Sequence, residues 1–141
     1  LKKGTEAMTA DGTRACDKLM GRIKNHRMGS LRILHLPNSW NHMQSDHCVV
    51  FRVLPISAQE TLVTTKWIVH KDAVEGKDYD IEKLCRVWHS TNNEDKGFTE
   101  ESQRGINSIG YRPGPYAPAY EFAVINFVNW YAETMLKNME I

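Results

Sequence analysis

Residues 78–108 read DYDIEKLCRVWHSTNNEDKGFTEESQRGINS, and the spacing of their apolar positions decides the fold. At about 100° per residue, Ile81, Leu84, Trp88, Asp95, Thr99, Ser102 and Ile106 share one narrow sector, which predicts an amphipathic helix. Asp78 and Asp80 offer an N-cap and first-turn negative charge, and Gly105 with Asn107 offers a stop. Gly97, which costs about 1 kcal/mol against alanine inside a helix, is expected to mark a bend beside Asp95. Asp95 stands in the apolar stripe while Glu94 points away from it. An ionised carboxylate buried there would need a metal, an arginine or a set of donors. On the residues alone, a functional role for Asp95 and a structural one, pairing with arginine or capping a break, weigh equally.

Upstream the period is that of strands. Leu31–Leu36, Cys48–Leu54 and Thr61–Val69 are rich in β-branched and aromatic residues, and the third alternates cleanly along its length. Pro55–Glu60 is expected to join the last two as a hairpin loop. The first 30 residues are polar and interrupted by Gly4, Gly12, Gly21 and Gly29, so loops or short strands are expected there. Downstream, Pro113, Pro115 and Pro118 make a rigid connector before a second helix from about Ala119 to Lys137. That helix is apolar nearly all round, through Tyr120, Phe122, Val124, Ile125, Phe127 and Tyr131, and should be covered on more than one face. Strands followed by long helices predict an α+β fold, an antiparallel sheet with helices on one face and a cavity between them into which Asp95 would point.

A chain of 141 residues with 41% hydrophobic and 25% charged residues suits one soluble domain. A net charge of +1 provides no broad field for nucleic acid and no polybasic patch for a membrane. Cys16, Cys48 and Cys85 are widely spaced and show no CxxC, which argues against a disulfide framework or zinc ribbon and for a reducing cytoplasm. No run approaches a membrane span and no signal peptide is visible. The opening Leu1 suggests a piece of something longer.

The remaining chemistry-bearing residues have quieter readings. His42 and His47 form an H-x4-H pair, but on a strand they would face opposite ways and on a helix they would stand about 140° apart. His89 is offset from the inward stripe by about 100° and reads as a surface group or one standing just behind a site. HExxH, GxSxG, P-loop and GxGxxG motifs are absent. Most aromatics read as core. Trp88, two turns before Asp95 on the same face, is the candidate wall for a quaternary ammonium group, whose charge a ring face attracts.

Longer blocks are more specific. Leu36-Pro37-Asn38-Ser39-Trp40, Phe51-Arg52-Val53-Leu54-Pro55, TTKWIVHKDAVEG at residues 64–76, Asn93-Glu94-Asp95, QRGINS at residues 103–108, Pro113-Gly114-Pro115-Tyr116 and Asn129-Trp130-Tyr131 occur in this order. Together they resemble the C-terminal part of the catalytic domain of Rieske non-haem iron oxygenases, nearest to the glycine betaine demethylating branch. The resemblance covers nearly the whole chain, so residues 1–141 are expected to be the C-terminal portion of one catalytic domain.

It implies a partial helix-grip, START-like domain whose mononuclear Fe(II) is held by two histidines and an aspartate. The matching aspartate is Asp95. The resemblance further implies a 2Fe-2S Rieske cluster, a flavin or ferredoxin-type reductase, O2 and a methylated quaternary amine as partners, and a homotrimer. An N-methyl group would be hydroxylated and lost as formaldehyde. The chain departs from the pattern in two respects: the Rieske cysteine-histidine motif is missing, as is the acidic-x2-His-x4-His segment that supplies the other two iron ligands. Ser39 stands where that acidic residue would precede His42 and His47. The chain alone is therefore expected to bind no iron and to be inactive. Carnitine, choline, proline betaine or an aromatic compound are alternative substrates, and a non-catalytic helix-grip ligand-binding module is the alternative of another class.

Overall fold

The computed structural model describes residues 1–139. Along the chain come strands β1 (Leu31–His35), β2 (Ser39–Met43), β3 (His47–Ser57) and β4 (Glu60–Val69), then helices α1 (Ile81–Ile106) and α2 (Pro118–Asn138). They divide into two compact units, Leu1–Phe98 and Thr99–Ile141. The α+β reading holds.

In the first unit the strands form an antiparallel meander in the order β1-β2-β3-β4. β2, with the sequence SWNHM, was not among the three strands read from the residues' own pattern. Its Asn41 and His42 hide the apolar alternation, and it is held as a strand by pairing on both sides, Arg32 with His42 and His42 with Val49. The β3–β4 hairpin is tighter than expected. Pro55 continues the strand opposite Thr61, a register shift follows before Ser57, and only Ala58 and Gln59 turn the chain. The first 30 residues contain turns and an isolated bridge between Cys16 and Tyr79, with no strand or helix.

α1 begins as its sequence suggests. The Asp80 carboxylate accepts the backbone N–H of Lys83 at 2.8 Å, the N-cap bond that satisfies an otherwise orphaned donor. Asp78, the other candidate cap, instead accepts from Lys18 Nζ at 2.9 Å and from the Val74 amide at 2.8 Å. These two donors hold its carboxyl below the usual carboxylate range, the lysine contributing most. The helix continues through Gly97, where a bend was expected.

In the second unit, α2 starts with Pro118 in its first turn, where a missing N–H costs nothing. Glu121 departs from helical angles at φ −108° and ψ 19°, one turn in. Phe127 lies 6.1 Å from the rings of both Trp130 and Tyr131, so these aromatics pack along the helix. None of its described residues is buried. No helix among the described residues is long and apolar enough to cross a membrane.

Candidate functional site

The sheet's pleat assembles an aromatic layer. Trp40, Phe51 and Thr65 stand side by side across β2, β3 and β4, and His42, Val49 and Trp67 form the adjacent row. Residues two apart on a strand share a face, so both rows present one surface. Trp40 stacks on Phe51 at 5.0 Å with the planes 7° apart. α1 lays Trp88 onto this surface, 4.5 Å from the His42 ring and 5.0 Å from Phe51, both edge to face. Val49, Phe51 and Trp88 are the buried centre, with Met8, Trp40 and Trp67 packed around them.

Trp88 is thus a core side chain packed among rings. Three polar atoms in the layer, His42 Nδ1, Trp67 Nε1 and Trp88 Nε1, are buried without a hydrogen-bond partner among the described residues. Burial, assisted by the charge of Arg32, pushes the His42 pKa down, which keeps the ring neutral. His89 is exposed, as its helical phase suggested, and its ring meets Trp67 at 5.5 Å.

One turn beyond Trp88, Asn92 Nδ2 donates to Thr65 Oγ1 at 3.1 Å. Asp95 follows three residues later, and here the structure corrects the reading of the sequence. The stripe is phased as expected, with Leu84 and Trp88 buried and Asn92 bonded to the sheet. Asp95, about 20° from Leu84 in helical phase, lies on that same face. However, every residue from Asn93 to Glu100 is exposed, so Asp95 is not buried. Ile81 and Ile106, placed in the same stripe, are 48% and 45% exposed. Exposure begins at Asn93, within the first unit, and a periodic stripe records the direction of a face without saying how far it is covered.

A second polar constellation, unforeseen from the sequence, occupies the β2–β3 turn. Gln44, Ser45, Asp46 and His47 are all fully buried. Asp46 Oδ2 accepts the amides of Ala15 and Cys16 at 2.7 and 3.1 Å, and Oδ1 lies 3.0 Å from His47 Nδ1. Gln44 Oε1 accepts the Met8 amide at 2.6 Å, Ser45 Oγ donates to the His26 carbonyl at 2.9 Å, and the Met20 amide donates to the Ser45 carbonyl at 2.7 Å. The turn thereby fixes the irregular first 30 residues. Burial works to raise the Asp46 pKa, but the bonds from His47, Cys16 and Ala15 outweigh it and hold the carboxyl below its ordinary value. His47 is bonded within this turn, and His42 packs in the aromatic layer. Burial raises the thiol pKa of Cys16, Cys48 and Cys85, which makes them poor nucleophiles.

A cavity of about 310 Å³ lies at the start of α1, lined by Ala10, Asp11, Asp80, Glu82, Lys83 and Arg86, away from Asp95 and Trp88. Among the described residues, no three His, Cys, Asp or Glu side chains are grouped to hold a metal. Asp95 is an exposed carboxylate on α1.

An antiparallel sheet with a long helix laid against it has the α+β arrangement of a catalytic-domain fragment. The chain belongs to the family described as ring hydroxylating alpha subunit (catalytic domain), whose sequence profile matches residues 1–137. It is 63% identical over 139 residues to the glycine betaine monooxygenase oxygenase subunits of two Pseudomonas aeruginosa strains. It is 59% identical over 138 residues to the subunit of that name from Chromohalobacter salexigens. These alignments take in 98–99% of the chain, which spans about a third of the length of the curated relatives it matches.

Proposed function

We propose that residues 1–141 are the C-terminal portion of the catalytic domain of a Rieske-type oxygenase that demethylates glycine betaine at the expense of O2. The observation that carries this is the 63% identity, extending over 99% of the chain, to oxygenase subunits named for that substrate. Asp95 supplies the carboxylate of the iron site, and the two imidazoles come from polypeptide outside these residues. When bound, the iron supplies the activation of dioxygen. This chain contributes the carboxylate and the rigid layer behind it. The aromatic packing of Trp88, Phe51 and Trp40 anchors the first half of α1, and the neutral His42 brings no competing positive charge toward a cationic substrate. A reductase and the Rieske cluster supply electrons, the parent is a cytoplasmic homotrimer, and Trp88 is a wall of the substrate pocket.

The test is to purify the full-length polypeptide with its reductase and to measure formaldehyde released from glycine betaine, carnitine, choline and proline betaine. The expected result is formaldehyde in step with O2 uptake, with glycine betaine preferred. Turnover of another amine in its place, or none with any of them, overturns the assignment. Residues 1–141 alone are expected to hold no stoichiometric iron.

A further inference from the structure

We propose that Gln44 and His47 enclose a structural water molecule, which bridges the Gln44 amide and the His47 ring and completes the polar anchor of the β2–β3 turn. Both residues are wholly buried, and Gln44 Nε2 and His47 Nε2 have no hydrogen-bond partner among the described residues. The two side chains start from neighbouring positions. Met43 pairs with Cys48 at the end of the ladder, and the Gln44 amide donates to the His47 carbonyl at 2.9 Å, so Gln44 and His47 are the next pair across the hairpin. Residues opposed in this way project to one face with their Cβ atoms about 4.5–5.5 Å apart, which lets one small molecule reach both.

What each side chain already does fixes the role of its remaining nitrogen. Gln44 Oε1 accepts the Met8 amide at 2.6 Å, so Nε2 occupies the other corner of the carboxamide, where it can only donate. His47 Nδ1 lies 3.0 Å from Asp46 Oδ1; a carboxylate accepts, so Nδ1 carries the proton and Nε2 of the neutral ring is left to accept. Leaving a buried donor and a buried acceptor unmet side by side is costly. Water accepts from the one and donates to the other, and it serves the charged ring too by accepting from both. A metal or ammonium ion could not accept the Gln44 N–H, and an anion would stand beside the buried Asp46 carboxylate, whose second oxygen already takes the Ala15 and Cys16 amides. Both nitrogens are covered by the described residues themselves, so a side chain arriving from elsewhere would have to displace that cover, whereas a water needs only about 10–15 Å³ of probe-occupied space. The bridge links the Met8 contact to β3 and is independent of any role of Asp95.

The experiment is a crystal structure of the full-length polypeptide at a resolution that shows ordered solvent, with a second structure of Gln44→Met, which keeps the length of the side chain and removes its donor. The expected result is one peak at about 2.7–3.2 Å from both Gln44 Nε2 and His47 Nε2, refining as water in every copy of the chain. In Gln44→Met the peak should disappear, because a single polar partner does not hold a buried water. Gln44 Nε2 bonded directly to His47 Nε2, a protein side chain or an ion at that position, or no peak at all overturns the proposal, as does a peak that persists undiminished in Gln44→Met. If Gln44→Met does not fold, the map of the parent decides alone.

Discussion

Asp46 Oδ1 lies 3.0 Å from His47 Nδ1, with both side chains wholly out of solvent, and the second Asp46 oxygen receives the amides of Ala15 and Cys16. One carboxylate thus ties the β2–β3 turn to a segment that has no strand or helix of its own. Asp46→Ala strands two amides and an imidazole in the interior, and the expected loss is about 3 kcal/mol. Urea unfolding measures it, and amide exchange at Ala15 and Cys16 should accelerate more than exchange in β3.

The same carboxylate sets an acid limit. Because its folded pKa lies below the unfolded value of about 3.9, its contribution is fully present above that value and fades as pH falls through the folded one. His42 acts earlier in the same direction. Its folded pKa is depressed, so the stability held above about pH 6.5 declines as the pH drops and the unfolded chain takes up the proton first. Urea midpoints measured between pH 7 and 5 should decline, and His42→Leu should flatten that decline without moving the steeper fall near pH 4.

Trp88 joins the helix to the sheet through ring contacts on both His42 and Phe51. Truncation in Trp88→Ala should cost about 3–5 kcal/mol, as for other large buried aromatics. Trp88→Phe keeps the layer and removes an indole N–H that has no described partner, so its cost should be markedly smaller. Equilibrium denaturation of the two variants side by side checks the order.

Asp95 should behave in the opposite way. It is exposed, so Asp95→Ala should leave unfolding stability within about 0.5 kcal/mol of the parent. Iron content of the full-length polypeptide, measured after purification in both forms, should nevertheless fall in the variant, as the proposed ligand role requires.

Much of the architecture could be read from local pattern. Thr61–Val69 alternates and pairs along its whole length, and the α1 boundary follows the capping chemistry of Asp80. β2 escaped because its strand character comes from two neighbours and not from its own residues. Asp95 was given the right phase but the wrong depth, since periodicity cannot report how far a face is covered. Asn92 could have been found as the stripe residue four after Trp88 that is polar without being charged. Asp46 and His47 could not, because their burial depends on residues some 30 positions earlier folding over them.

The burial of Gln44–His47 also bears on how the molecule can be handled. By hydrophilicity these four residues would be chosen as a surface epitope or a place to splice in a tag, yet an antibody could reach none of them and an insertion there would detach the chain's opening segment. The tip of the β3–β4 hairpin, Ala58 and Gln59, is open to solvent and sits between paired strands, so a reporter peptide or protease site placed there should be tolerated.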